Sequence, residues 1–170
     1  MSTVIDALFA VRRLVLVVTG RLAWLPPLVA RVTVGWVFVL SGWGKLHNLP
    51  KIVDFFRQLG IPAPDVQAPF VAGNELVCGA LVLVGLFARV ATIPLMIMMI
   101  VAIVTAQRAN VSSVDDVFGL SEFLYFVLLG WIGVTGPGPI SLDALFVRLA
   151  SRRREAVHEP PLAGSPQRAR

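Results

Sequence analysis

Phe70 to Ala106 reads FVAGNELVCGALVLVGLFARVATIPLMIMMIVAIVTA, thirty-seven residues in which Glu75 and Arg89 are the only charges. A helix crossing a bilayer needs ~20 predominantly apolar residues, and this stretch fits two, Phe70 to Ala88 and Val90 to Ala106. They are joined almost directly at Arg89, with Pro94 in the first turns of the second, which forces an antiparallel hairpin. Working outward, Leu28 to Leu46 and Phe118 to Gly136 are two further runs of the same kind. None of the four shows the period-two alternation of a strand, and backbone polar groups in hydrocarbon must be paired within the segment. The expected fold class is all-α, an integral membrane four-helix bundle.

Composition agrees. The 170 residues are 56% hydrophobic and 15% charged, with a mean hydropathy of +0.79. Soluble domains carry about a quarter charged residues, and a chain this short has too little interior to hide so much apolar surface. Cys78 is the single cysteine, so no intramolecular disulfide forms, and no C-x-x-C, phosphate loop or dinucleotide fingerprint is present. His47 and His158 are far apart in sequence. No metal site is assigned, and the basic surplus does not by itself point to nucleic acid.

That surplus has a topological meaning. With four crossings, Arg12, Arg13, Arg21, Arg31, Arg89, Arg148, Arg152, Arg153, Arg154, Arg168 and Arg170 fall on one side, and Lys45, Lys51, Arg57 and Arg108 on the other. The positive-inside rule then places both termini in the cytoplasm. Residues 1–27 read as an uncleaved cytoplasmic interfacial segment, because the apolar core between Arg13 and Arg21 is too short for a signal peptide. Residues 28–140 form the transmembrane domain. Its first outer loop, Leu46 to Pro69, is expected to hold a short interfacial helix with Pro50 in its first turn, Ile52, Val53, Phe55, Phe56 and Leu59 on its apolar face, and Gly60 as its stop. Asn110 to Asp116 reads as a polar loop. Residues 141–158 read as an amphipathic basic interfacial helix capped by Ser141, and residues 159–170 as a disordered tail.

Charges within the spans recur at a fixed spacing. Arg31 and Lys45 are fourteen apart on the first span, and Glu75 and Arg89 fourteen apart on the second. Fourteen residues rise about 21 Å and return to within about 40° of the starting face. Gly35 and Gly42 share the face of Arg31 and Lys45; Gly79 shares that of Glu75. With Gly85 they are candidate helix-packing positions. Two clusters follow. Lys45, His47, Glu75 and Glu122 gather on the outer side, with Lys45 and Glu75 as natural partners; Arg31, Arg89 and Asp143 gather on the inner side, the carboxylate offsetting the arginines. Charges at this depth cost about 2.5–3.5 kcal/mol each on insertion scales and call for a partner or a water-lined cavity. They are structural ties between helices, or they edge an outer-leaflet pocket in which Lys45 and His47 donate to a quinone carbonyl or small anion and Glu75 relays protons. Met96, Met98 and Met99 fit core packing better than copper ligation, Cys78 fits an inert buried thiol, and Trp36 and Trp43 fit packing or interfacial anchors. Gly130, Gly133 and Gly136 make a smooth contact strip on the fourth helix.

Arg31-x3-Gly35-x6-Gly42-x2-Lys45, then Glu75-x3-Gly79-x5-Gly85-x3-Arg89, then Gly136-Pro137-Gly138-Pro139-Ile140-Ser141-Leu142-Asp143, in this order, resemble the DoxX family of small bacterial membrane proteins. The resemblance implies a four-helix, multi-pass fold in the inner membrane of a bacterial cell. It implies kinship with the membrane subunit of thiosulfate:quinone oxidoreductase and with redox, sulfur or metal-linked membrane systems. Residue by residue it marks Arg31, Gly42, Lys45, Glu75, Gly79, Arg89 and Asp143, with no catalytic assignment for any of them. The expected function is the membrane subunit or anchor of a quinone- or sulfur-linked redox complex, with quinone as the candidate cofactor and catalysis by this chain alone in doubt. The candidate partners are the bilayer, redox protein subunits and a second copy of the chain; nucleic acid is not among them. The rivals are a carrier for a small solute or anion, and a structural or assembly factor in the membrane.

Overall fold

The structure, a computed structural model, describes residues 2–158; the expected disordered tail, 159–170, lies outside the described residues. Every regular element among the described residues is helical: α1 (Ser2–Leu22), α2 (Leu25–His47), α3 (Leu49–Gln58), α4 (Pro64–Val84), α5 (Ala88–Thr105), a 3-10 turn (Arg108–Asn110), α6 (Val114–Phe118), α7 (Ser121–Thr135) and α8 (Leu142–His158). Three of them, α2, α4 and α5, are long and apolar enough to cross a membrane; α7 is apolar but has 15 residues. At 1.5 Å per residue that is a rise of about 22 Å, against about 30 Å of hydrocarbon.

The helices begin and end where local chemistry directs. Pro26 and Pro27 occupy the first turn of α2, where a missing N–H costs nothing. The α3 helix has Pro50 in its first turn and is followed by Gly60 at φ +71, as expected. The second span ends earlier than the hydropathy suggests. Gly85, at φ +72, is the left-handed cap of α4, with its N–H and that of Leu86 donating to the Leu81 carbonyl. Gly85 is therefore the cap of α4, and it is also a position of close approach, where a Cβ would press on the Arg31 guanidinium and the Ser141 Cβ. Arg89 belongs to the first turn of α5 and does not share a helix face with Glu75. The fourth span starts late because Ser113 and Asp116 form a capping box that nucleates α6 as a separate turn, and Leu120 is extended.

Packing is closest between α2 and α4. A Cβ on Gly42 would meet the Leu76 nitrogen at 2.5 Å, one on Gly35 the Leu83 backbone at 2.7 Å, and one on Gly79 the Phe38 Cβ at 2.8 Å. Three glycines thus bring two backbones together, the device that serves helices lacking a hydrophobic drive to associate. Helix α5 packs on α4 and α7, and α7 returns to α2. Gly133 of α7 lies against the Thr92 hydroxyl and Gly130 against Met96. Val34, Phe38, Val82, Leu95, Leu129 and Ile132 fill the centre. Outward, Val29, Val32, Trp36, Leu40 and Trp43 of α2 and Val90, Ile93, Ile97, Val101 and Val104 of α5 stand exposed, a surface matched to lipid rather than to water.

Candidate functional site

Glu75 projects from the middle of α4 into the interhelical space and is 3% exposed. Burial of a carboxylate demands partners, and α2 supplies both. Lys45 Nζ lies 2.5 Å from Glu75 Oε1, and Ser41 Oγ donates to Oε2 at 2.9 Å. Ser41 and Lys45 are one turn apart, so both face α4. The sequence reading paired Lys45 with Glu75 but passed over Ser41; its signal was a hydroxyl one turn before the lysine, within an otherwise apolar helix.

This pair forms part of the wall of a cavity of about 490 Å³. Helix α3 covers it with Ile52, Phe55 and Phe56; α5 contributes Met98, Met99 and Thr105; α7 contributes Tyr125 and Glu122. The lining is mostly apolar, with a few polar groups at fixed places, as in small-molecule sites generally. Arg57 of α3 bonds Asp54 within its own helix at 2.7 Å and reaches Asp65 of α4 at 3.6 Å, an ion pair between exposed side chains. The methionines pack as expected, Met99 in the core and Met96 and Met98 against it, and Met98 and Met99 also line this space, as does the apolar face of α3, for which the sequence suggests only an interfacial position.

The four residues of the expected outer cluster are not all together. Glu122 lines the same cavity and accepts from Gln107 Nε2 at 2.8 Å. His47 turns away: its Nδ1 donates to the Trp43 carbonyl at 2.9 Å, its ring packs on Trp43 at 4.3 Å, and it is exposed. Position 47 is two residues past Lys45, about 200° around the helix. Cys78 is buried and donates to Asn74 Oδ1 at 3.0 Å, away from the cavity.

At the other end of α2, Arg31 is 4% exposed and donates from Nη1 to the Pro137 carbonyl at 2.9 Å. The Arg89 guanidinium lies against Gly136. Asp143 joins these residues but does not offset them. Its carboxylate accepts from the Phe87 N–H at 3.0 Å and its own N–H donates to the Gly85 carbonyl at 3.0 Å, so it ties the start of α8 to the α4–α5 turn. The left-handed Phe87, at φ +48, explains this use: its N–H opens outward with no helical partner. Ser141 caps α8 as expected, its hydroxyl accepting from the Ala144 N–H. Among the described residues no group of three His, Cys, Asp or Glu side chains is placed to hold a metal.

The sequence is similar to those of known membrane proteins. The DoxX family model matches residues 27–108, from the start of α2 through α5. An uncharacterized membrane protein of Mycobacterium tuberculosis is 37% identical over 127 residues, covering 66% of this chain and 76% of the relative. CatD of Bacillus subtilis, provisionally named an oxidoreductase, is 31% identical over 118 residues, covering 68% and 83%. The inner membrane protein YphA of Escherichia coli is 27% identical over 128 residues, covering 68% and 86%. No solved structure matches the chain.

Proposed function

The chain belongs to the DoxX family of membrane proteins, and on that footing we propose that it is the membrane subunit of a redox complex, binding a quinone head group in the cavity between α3 and the α2–α4 pair. The observation that carries the reading is an ammonium–carboxylate–hydroxyl trio, Lys45, Glu75 and Ser41, set in the wall of a mostly apolar chamber of about 490 Å³. A quinone needs that combination: flat apolar walls for the ring and tail, a cation to polarise a carbonyl oxygen, and a carboxylate that takes up protons from solvent and relays to the ring the two that accompany its two-electron reduction. Phe55, Phe56 and Tyr125 supply the ring contacts. Electrons enter from a redox group on a partner protein. The name given to the Bacillus subtilis relative agrees with this reading.

The chain crosses the inner membrane four times, the fourth crossing running from Phe118 to Gly136 with α7 at its centre. Both termini lie in the cytoplasm, with α1 and α8 along the cytoplasmic interface. Lys45, Glu75 and the cavity then face the outer leaflet.

Binding of a short-chain quinone to the protein in nanodiscs tests the reading. Saturable binding at one site per chain is expected, weakened about tenfold by Lys45→Met or Glu75→Gln, the loss of one charged hydrogen bond of about 1.5 kcal/mol. Binding that does not saturate, or that both variants leave unchanged, refutes it.

A further inference from the structure

Three arginines from three helices converge on one four-residue turn. Arg31 of α2 reaches the Pro137 carbonyl at 2.9 Å, Arg148 of α8 reaches the Pro139 carbonyl at 3.4 Å, and the guanidinium of Arg89 of α5 lies against Gly136. Gly136 and Gly138 hold φ +88 and +84. A Cβ at Gly136 would press on the Arg89 nitrogens at 3.1 and 3.2 Å, so the glycine leaves the room the arginine uses. Among the described residues no carboxylate lies within 4.0 Å of any of the three. The one acid nearby, Asp143, is occupied by the Phe87 N–H.

Binding of the turn carbonyls explains only part of this arrangement. Each guanidinium carries five N–H donors, yet Arg31 and Arg148 are each engaged by a single carbonyl, and Arg31 Nε is buried with no partner. Three like charges around one turn repel, and a buried guanidinium without an acceptor for all its donors is costly. An oxyanion relieves both. The turn joins the end of α7 to the start of α8, and α2 and α5 present their first turns there; on the four-crossing topology proposed above, this is where the helices leave the hydrocarbon, at the depth of lipid phosphates.

We propose that Arg31, Arg89 and Arg148 bind the phosphate of an anionic phospholipid headgroup against the Gly136–Pro139 turn. Exposed Arg89 and Arg148 make the first contact and buried Arg31 supplies the inner donors. The site uses none of the cavity residues and stands whether or not a quinone binds there.

The test is native mass spectrometry and thermal unfolding of the full chain in mild detergent with added phosphatidylglycerol, phosphatidylcholine or inorganic phosphate. Wild type is expected to retain phosphatidylglycerol and to melt higher in its presence than with phosphatidylcholine, while inorganic phosphate at millimolar concentration leaves both readings unmoved. Arg89→Gln and Arg148→Gln, on exposed side chains that should not disturb folding, should each weaken phosphatidylglycerol binding about fivefold, the effect of one basic side chain near an anionic surface. Arg108→Gln, on the 3-10 turn, should leave it unchanged. Equal retention of both lipids, or a double Arg89→Gln/Arg148→Gln variant that binds like wild type, overturns the site; displacement of the lipid by inorganic phosphate overturns its assignment to a lipid.

Discussion

Lys45 and Glu75, on neighbouring helices, meet at 2.5 Å with Glu75 3% exposed and the Lys45 side chain 27% exposed. The asymmetry decides what each substitution does. Removing Lys45 strands a buried carboxylate, and breaking one side of a buried pair costs about 3–5 kcal/mol; the partial exposure of Lys45 puts Lys45→Met at or below the low end. Glu75→Leu strands only a lysine that snorkels outward, so its cost should be smaller. Detergent-titration unfolding should rank Lys45→Met as the less stable of the two, with the double variant Lys45→Met/Glu75→Leu recovering most of the loss. The same double variant should bind no quinone, which separates the tie from the site.

Ser41 holds the other carboxylate oxygen. Ser41→Ala should cost about 1.5 kcal/mol, as for a hydrogen bond to a charged group, and should leave the expression level and helix content near wild type. Circular dichroism and unfolding midpoints measure both. A midpoint equal to wild type would show that Lys45 alone satisfies the carboxylate.

Gly42 allows no side chain. A Cβ there would fall 2.5 Å from the Leu76 nitrogen and 2.7 Å from the Ala72 carbonyl oxygen, backbone atoms that move only if α2 and α4 separate. Gly42→Ala should destabilise by about 1–3 kcal/mol, the usual range for overpacking. Gly44, two residues on, has nothing within 4 Å, and Gly44→Ala should be neutral or slightly stabilising through helix propensity. Reversal of that order in unfolding midpoints would contradict the close α2–α4 contact.

These residues also show how far the sequence could be read. The Lys45–Glu75 pair and the glycine contacts were legible because helical geometry fixes which positions share a face. Arg89 was misplaced because hydropathy alone cannot see that Gly85 adopts φ +72 and stops α4; a glycine inside an apolar run reads as a packing position. Asp143 was assigned to the arginines by charge, but the unpaired Phe87 N–H, created by the turn itself, competes for it. A pocket beside Lys45 and Glu75 is expected from the charges, but its walls are not legible: they form where α3 folds back over α4, and a tertiary contact of that kind leaves no periodicity in the chain. The convergence of Arg148 with Arg31 and Arg89 was hidden for the same reason.

Asp116 gives a pH dependence with a definite sign. Its carboxylate accepts from the Ser112 and Ser113 backbone N–H groups at 2.9 and 2.8 Å, and these bonds, which favour the ionised form, hold its pKa below the ordinary value. A folded pKa below the unfolded one stabilises the turn at pH above about 3.9 and is lost as the pH falls through the folded value. Amide exchange at Ser112 and Ser113 should therefore accelerate only under acid, after correction for intrinsic rates, and Asp116→Ala, which removes the acceptor, should show fast exchange at every pH. Protection that persists in the Ala variant would refute the capping box.

Membrane orientation is open to direct measurement, because Cys78 is the single cysteine and is buried. In a Cys78→Ala background, cysteines placed one at a time at Gln58 in α3, Asn110 and Ser151 sample three connections. With four crossings and cytoplasmic termini, a membrane-impermeant maleimide applied to spheroplasts should label positions 58 and 110, and should label position 151 only after lysis. The distinction rests on α7. If its 15 residues fail to cross, position 151 becomes accessible from the same side as position 110, and the Arg31–Arg89–Arg148 cluster could no longer form at one bilayer face. Labelling of 58 and 110 on opposite sides would instead break the α4–α5 hairpin that the Gly85 cap builds.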